Sequence, residues 1–240
     1  MMRRVTSWPG GFIFILLLIL MVHECLAGVM IEQIVRDREG SASKVFMHFS
    51  KDKFRSDHPN GSLTTIIDFG EDRMVMVDHL SKRYVEVKFS RWEKEVAERL
   101  KQSVPVPQSK SRKIVVEKTG ETAVINGFQT EKVQIFADGE LMEEDWVTRD
   151  VVLGDVEKVM DKVVLGFSKE FRTEMKEGRE IHEKIKAFGF PILVKDYTIA
   201  HGLGGVDVLE VKRIEKRELK DDVFLPPKDY QRIIPEPSKK

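Results

Sequence analysis

The stretch from Leu63 to Phe89, LTTIIDFGEDRMVMVDHLSKRYVEVKF, restricts the folds open to this chain more than any other. Three short runs rich in Ile, Val, Met, Phe and Tyr are separated by turn residues at Gly70-Glu71-Asp72 and from Asp78 to Lys82. Apolar, β-branched runs of this length, bounded by Gly, Asp and Ser, form consecutive antiparallel strands. The middle run, Met74-Val75-Met76-Val77, places no polar residue between its apolar ones. Such a strand has to be covered on both faces, one against a core and the other against something the ladder itself does not supply.

The flanks extend the same architecture. Upstream, Val29–Val35, Lys44–Ser50 and Lys53–His58 read as strands, and Pro59-Asn60-Gly61 is a turn suited to positive φ. At Ser90 the period changes: SRWEKEVAERLKQ reads as a short helix with Ser90 as N-cap, Glu93 completing a capping box, and a thin stripe of Trp92, Val96, Arg99 and Leu100. Ser103–Lys113 is a Pro/Ser/Lys loop. Ile114–Val116, Thr122–Ile125 and Gln129–Ala137 read as strands around an Asn126-Gly127 turn. Asp138-Gly139 then leads into Leu141–Thr148, with Trp146 facing inward.

From Asp155 to about Phe188 the period is helical. Val156, Val159, Met160, Val163, Val164, Phe167, Phe171 and Met175 form a wide apolar face, and Gly178 divides the helix into two pieces. Ile192–Ala200 and Val206–Ile214 are two further strands joined at His201–Gly205. Asp222–Ile233 reads as a short edge strand ended by Pro226-Pro227. The pattern predicts an α+β fold with a large curved antiparallel β-sheet of about eleven strands and two helical interruptions.

With 40 basic and 40 acidic side chains, the formal charge is zero, and no basic stripe interleaves with aromatics, so nucleic acid is not an expected partner. Arg3 and Arg4 precede an apolar run, Phe12–Val22, and Cys25-Leu26-Ala27 offers small residues at a cleavage site. This reads as a signal peptide over residues 1–27, a single domain over 28–234 and a disordered tail over 235–240. The expected location is periplasmic; the alternative is anchoring to the inner membrane by an uncleaved signal. Cleavage removes two basic residues, one acidic residue and the only cysteine, leaving a net charge of −1 and no thiol. Cysteine nucleophiles, zinc-thiolate sites and redox motifs are thereby excluded from the mature chain.

Other catalytic signatures are also missing from the sequence. His48, His58, His79, His182 and His201 are isolated from one another, without metal-ligand spacing. No Gly-x-Ser-x-Gly elbow is present, and Glu143-Glu144-Asp145 reads as a solvated hairpin end. The residues point to no enzyme, no cofactor and no metal, though a hydrolase with scattered active residues stays open.

Three pieces in order, IIDFGEDRMVMVDHLSKRYVEV, INGFQTEKVQIF and VFLPPKDYQRI, carry a resemblance. Behind a signal peptide they resemble a family of exported bacterial proteins, domain of unknown function 4412, related in fold to the periplasmic lipoprotein carrier LolA. Asp68, Tyr84 and Gly127 match recurrent positions of that family, and Phe224, Pro227 and Tyr230 match its terminal pattern. The resemblance covers about Val29 to Ile233. It implies a LolA-like half-barrel whose concave face is covered by helices, with an apolar cavity that holds acyl chains in characterised relatives.

On that basis the candidate cavity lining is Met74, Met76, Met160, Val163, Phe167, Phe171 and Met175. Methionines suit a surface that accommodates varied apolar partners, while ordinary core packing explains the same stripe. The expected function is binding of a lipid, a lipoprotein acyl chain or an apolar peptide, with transient contact at a membrane surface. The alternative is a cell-envelope interaction or sensor module with a protein partner and no lipid.

Overall fold

A computed structural model describes residues 27–37, 39–58, 61–103, 112–165, 176–197 and 207–234. The expected signal segment up to Leu26, most of the Pro/Ser/Lys loop, the candidates Phe167, Phe171 and Met175, the His201–Gly205 hairpin and the tail lie outside the described residues.

Six strands come first: β1 (Ala27–Arg36), β2 (Ala42–Phe49), β3 (Lys53–Asp57), β4 (Leu63–Asp68), β5 (Arg73–Asp78) and β6 (Arg83–Lys88). Helix α1 (Phe89–Ser103) separates them from β7 (Ile114–Ile125), β8 (Phe128–Ala137) and β9 (Glu140–Thr148). Helices α2 (Val156–Leu165) and α3 (Lys176–Lys186) precede β10 (Phe190–Asp196), β11 (Asp207–Glu218), a 3-10 turn (Asp221–Phe224) and β12 (Gln231–Ile233). The twelve described strands form one open sheet, ordered β12-β6-β5-β4-β3-β2-β1-β11-β10-β9-β8-β7. Every neighbouring pair is antiparallel except β12 beside β6, which is parallel. No described helix is long and apolar enough to cross a membrane.

The hairpins follow from turn chemistry. Asn126-Gly127 and Asp138-Gly139 both adopt positive φ, near 50° for the first residue and 87–88° for the glycine, the geometry of a two-residue hairpin turn. In the ladder, aspartates at strand ends hold the turns. Asp68 Oδ1 accepts from the Gly70 and Glu71 amides, and Asp78 Oδ1 from those of Leu80 and Ser81.

Curvature follows from packing. Val156 and Val159 of α2 share one cluster with Val29, Ile31, Phe49, Phe54, Ile67, Met74, Ile192 and Val211, which come from seven adjacent strands. Laid flat, seven strands span about 29 Å, while a helix is only about 10–12 Å across. The sheet therefore wraps around α2, and its concave face carries the helices. A second cluster places Ile181 and Ile185 of α3 over Ile114, Val133, Ile135, Met142 and Val147, on β7 to β9.

The unexplained face of the ladder is covered by the chain's own C-terminal segment. Val75 and Val77 point away from α2 and pack with Ile66 and Phe224, flanked by Tyr84, Leu219, Val223 and Tyr230. Polar contacts fasten the same segment: Arg55 donates to the Val223 carbonyl at 2.8 Å, and His79 and Tyr230 share a hydrogen bond at 3.0 Å. The single edge strand expected over Asp222–Ile233 is thus a 3-10 turn followed by a three-residue strand. Burying Phe224 turns the chain before Pro226-Pro227, neither of which can donate to a ladder.

Other local expectations shift. The amide and hydroxyl of Ser90 both donate to the Asp72 carboxylate, at 2.8 and 2.7 Å, so the start of α1 is held by the β4–β5 turn and not by Ser90 as N-cap. The buried stripe of α1 is Phe89, Glu93 and Ala97; Trp92 and Val96 are half-buried and Arg99 is exposed. Phe89 sets this phase by inserting between Phe69 and Trp92. Ile114–Ile125 is one strand with a register shift between Lys118 and Thr122, not two strands. Gly178 sits inside α3 and does not separate two helices.

The convex-face packing has a direct test. Phe224 is 1% exposed, so Phe224→Ala is expected to cost about 3–5 kcal/mol in urea unfolding. A loss below about 1 kcal/mol would mean that the segment does not seal the ladder.

Candidate ligand cavity between sheet and helices

The apolar stripe of α2 has two functions. Val156 and Val159 are buried in the core. Met160 and Val163 lie further round the helix, half-buried, and line a cavity of about 670 Å³. That size falls within the roughly 300–1,000 Å³ range of small-molecule sites. Its floor is the concave sheet, with Ile31 and Gln33 on β1, Met47 and Phe49 on β2, and Leu209 and Val211 on β11. Ile185 of α3 and the following Ala187-Phe188-Gly189 close one side, and Val151–Leu153 another. Val152 on this wall is 66% exposed, so the cavity opens to solvent there.

Four of the seven residues expected to line a cavity are described, and of these Met160 and Val163 lie on its wall. Met74 is buried in the core beneath α2, Met76 is half-buried against the same core, and neither reaches the cavity lining. Both lie on β5, several strands from the floor on β1, β2, β10 and β11.

Charged side chains gather at the cavity wall where α2 meets α3. Lys186 Nζ lies 2.7 Å from Asp161 Oδ2 and 2.8 Å from Glu157 Oε1, and His182 Nε2 is 3.2 Å from Asp161 Oδ1. The spacing of four residues on each helix puts each pair on one face. Partial burial pushes the Asp161 carboxyl up, but hydrogen bonds from Lys186 and His182 outweigh it and hold the carboxyl below its ordinary value. The hydrogen bond to Asp161, then that to Glu157, raises the Lys186 ammonium above its usual range. These contacts lock the two helices together beside the cavity.

A second charged group lies further along the concave face. Glu143-Glu144-Asp145 is part of β9, not a solvated hairpin end. Opposite Ile135 and Phe136 the register shifts, and the alternation is reset, so Asp145 and Val147 are buried while Trp146 is only half-buried. Asp145 is 1% exposed and its Oδ1 has no hydrogen-bond partner among the described residues. Burial, then repulsion from Glu143 and Asp196, pushes its carboxyl well above the ordinary range. Burial and Asp196 push Glu143 up to about 7. Glu144 faces the other way. Despite its burial, hydrogen bonds from Tyr197, Lys132 and Gln134 lower it to about 2. Among the described residues, no group of three His, Cys, Asp or Glu is placed to hold a metal ion.

The sign of the Glu143 shift fixes a pH dependence. The folded protein binds this proton more tightly than the unfolded chain, whose carboxyl titrates near 4.5. Stability therefore falls as pH rises from about 4.5 through about 7, and the loss is complete above that. Glu143→Gln should raise the melting temperature at pH 8 and lose that advantage near pH 4. An equal change at both values would contradict the burial of this carboxyl.

No curated protein sequence matches the chain. Among solved structures, it resembles a chain of the Pseudomonas aeruginosa MucA/MucB complex at 9% identity, covering 85% of this chain and 57% of that one, with a TM-score of 0.44. PNGF-II gives 11% identity over 87% of this chain and 31% of its own, with a TM-score of 0.36. A LolA superfamily protein from Nitrosomonas europaea gives 7% identity over 85% of this chain and 91% of its own, with a TM-score of 0.30. This chain thus spans about a third of PNGF-II and under three-fifths of the MucA/MucB chain. The family model for the domain of unknown function DUF4412 matches residues 27–230, and the chain belongs to that family.

Proposed function

We propose that this is an exported, periplasmic, non-enzymatic protein that holds an apolar ligand, such as a lipid, a lipoprotein acyl chain or an apolar peptide, between its curved sheet and α2 and α3. The observation that carries this reading is the 670 Å³ cavity with Met160 and Val163 on its roof. Burying alkyl surface contributes about 0.8 kcal/mol per methylene, so such a cavity retains a chain without any reactive group. Met47 and Met160 give its walls adaptable, polarizable surface. The apolar run Phe12–Val22 followed by Cys25-Leu26-Ala27 supports export with cleavage after Ala27.

Native mass spectrometry of protein released gently from the periplasm should show a bound apolar species, and the emptied protein should take up a fluorescent fatty acid. Met160→Trp projects bulk into the cavity and should weaken that uptake about tenfold or more with little change in melting temperature. A protein that comes out empty and takes up no fatty acid overturns the proposal, as does full binding by the Trp variant.

A further inference from the structure

The charges around the cavity are not equivalent. Lys186 is neutralised by Asp161 and Glu157, and His182 leans on Asp161. Arg149 also lines the cavity, is exposed, and pairs with no carboxylate among the described residues. Its Nε donates to the Phe188 carbonyl at 3.3 Å. That bond orients the guanidinium and leaves both terminal nitrogens without a protein partner among the described residues.

A second hollow of about 390 Å³ meets the first at this point. Arg149 and Phe188 line both. The second is more polar than the first: Thr122, Gln129 and Thr130 lie on its wall beside Val147 and Phe188. Its acidic neighbours do not occupy Arg149: Glu131 pairs with Lys118 at 2.6 Å, and among the described residues no ion pair joins Asp150 to Arg149.

We infer that the ligand is an anionic amphiphile, its alkyl chain in the large cavity and its acidic head on the Arg149 guanidinium at the border of the polar hollow. This rests on the apolar-ligand reading and narrows it. With Nε engaged, the edge between the two terminal nitrogens stays free, and it matches a carboxylate or a phosphate in a two-pronged hydrogen bond, which a neutral alcohol cannot form. A free fatty acid and a phospholipid share this chemistry. Placing the head at an exposed residue lets it keep part of its hydration while the chain is buried.

The test is competition of hexadecanoate, hexadecyl phosphate and hexadecanol against a neutral fluorescent apolar probe, with the wild-type protein and Arg149→Gln. The wild type should bind at least one of the two anions about tenfold more tightly than the alcohol, and the tighter of the two identifies the head group. In the variant that preference should vanish while hexadecanol binds as before, and Arg149→Lys should keep part of it. Equal wild-type affinity for all three overturns the inference and leaves the cavity reading intact. So does a variant that loses anions and alcohol in equal proportion. Failure of the wild type to bind any of the three removes both.

Discussion

The antiparallel pairing of β1 with β11 joins the two halves of the molecule, and the cavity depends on it. Residues near the start of the domain meet residues near its end, with Val29 opposite Lys216 and Val35 opposite Leu209. Without this pairing the chain would form two separate meanders, β1 to β6 and β7 to β11, each with a raw edge. With it, the strands form one surface wide enough to wrap α2. The floor of the cavity is built across the seam, from Ile31 and Gln33 on one strand and Leu209 and Val211 on the other. Contacts so distant in sequence carry a loop-closure cost before any burial is gained. A register shift between Glu32 and Gln33 falls within the seam, and such shifts bend and twist a strand.

The ladder shows how the chain deals with a surface that neighbouring strands cannot cover. Met74 and Met76 face α2, Val75 and Val77 face outward, and both sets are apolar. The outer set would be an exposed patch if the chain ended at β11. Phe224 fills it, and β12 pairs with β6 at that edge of the sheet. The convex seal has no role in enclosing the cavity. The concave face of the ladder is packed as core, and the larger cavity lies over the floor around the β1–β11 seam.

Much of this was legible because it is local. Period-two runs marked the strands, Asn126-Gly127 and Asp138-Gly139 marked their turns, and the two-sided strand predicted a cover on each face, one of them the later helix; the C-terminal segment on the other face was not expected. What failed depended on partners far along the chain. Glu143-Glu144-Asp145 looks solvent-facing in sequence, yet the register shift and the helices over β9 bury Asp145. Ser90 has the spacing of a cap, but Asp72 on another turn takes its hydrogen bonds. Of the cavity lining, Met160 and Val163 were visible as part of an apolar stripe. Met74 and Met76 belong to the same composition but lie on the wrong strand. Arg149 carried no signal, because its meaning lies in what is absent around it.

The cavity persists for a reason that separates α2's two faces. Apolar walls with nothing between them lose contacts, and a packed interior normally closes such a gap. Here Val156 and Val159 press α2 onto the core on one side, so the helix cannot sink further without displacing them. On the other side Asp161 and Glu157 grip His182 and Lys186 of α3. In turn α3 is seated by Ile181 and Ile185 on a separate cluster over β7 to β9. Two helices standing on two different patches of one curved sheet, tied to each other above the β1–β11 seam, span the space as an arch. Loosening the Asp161–Lys186 contact would let Met160 and Val163 settle towards the floor, exchanging cavity volume for core packing.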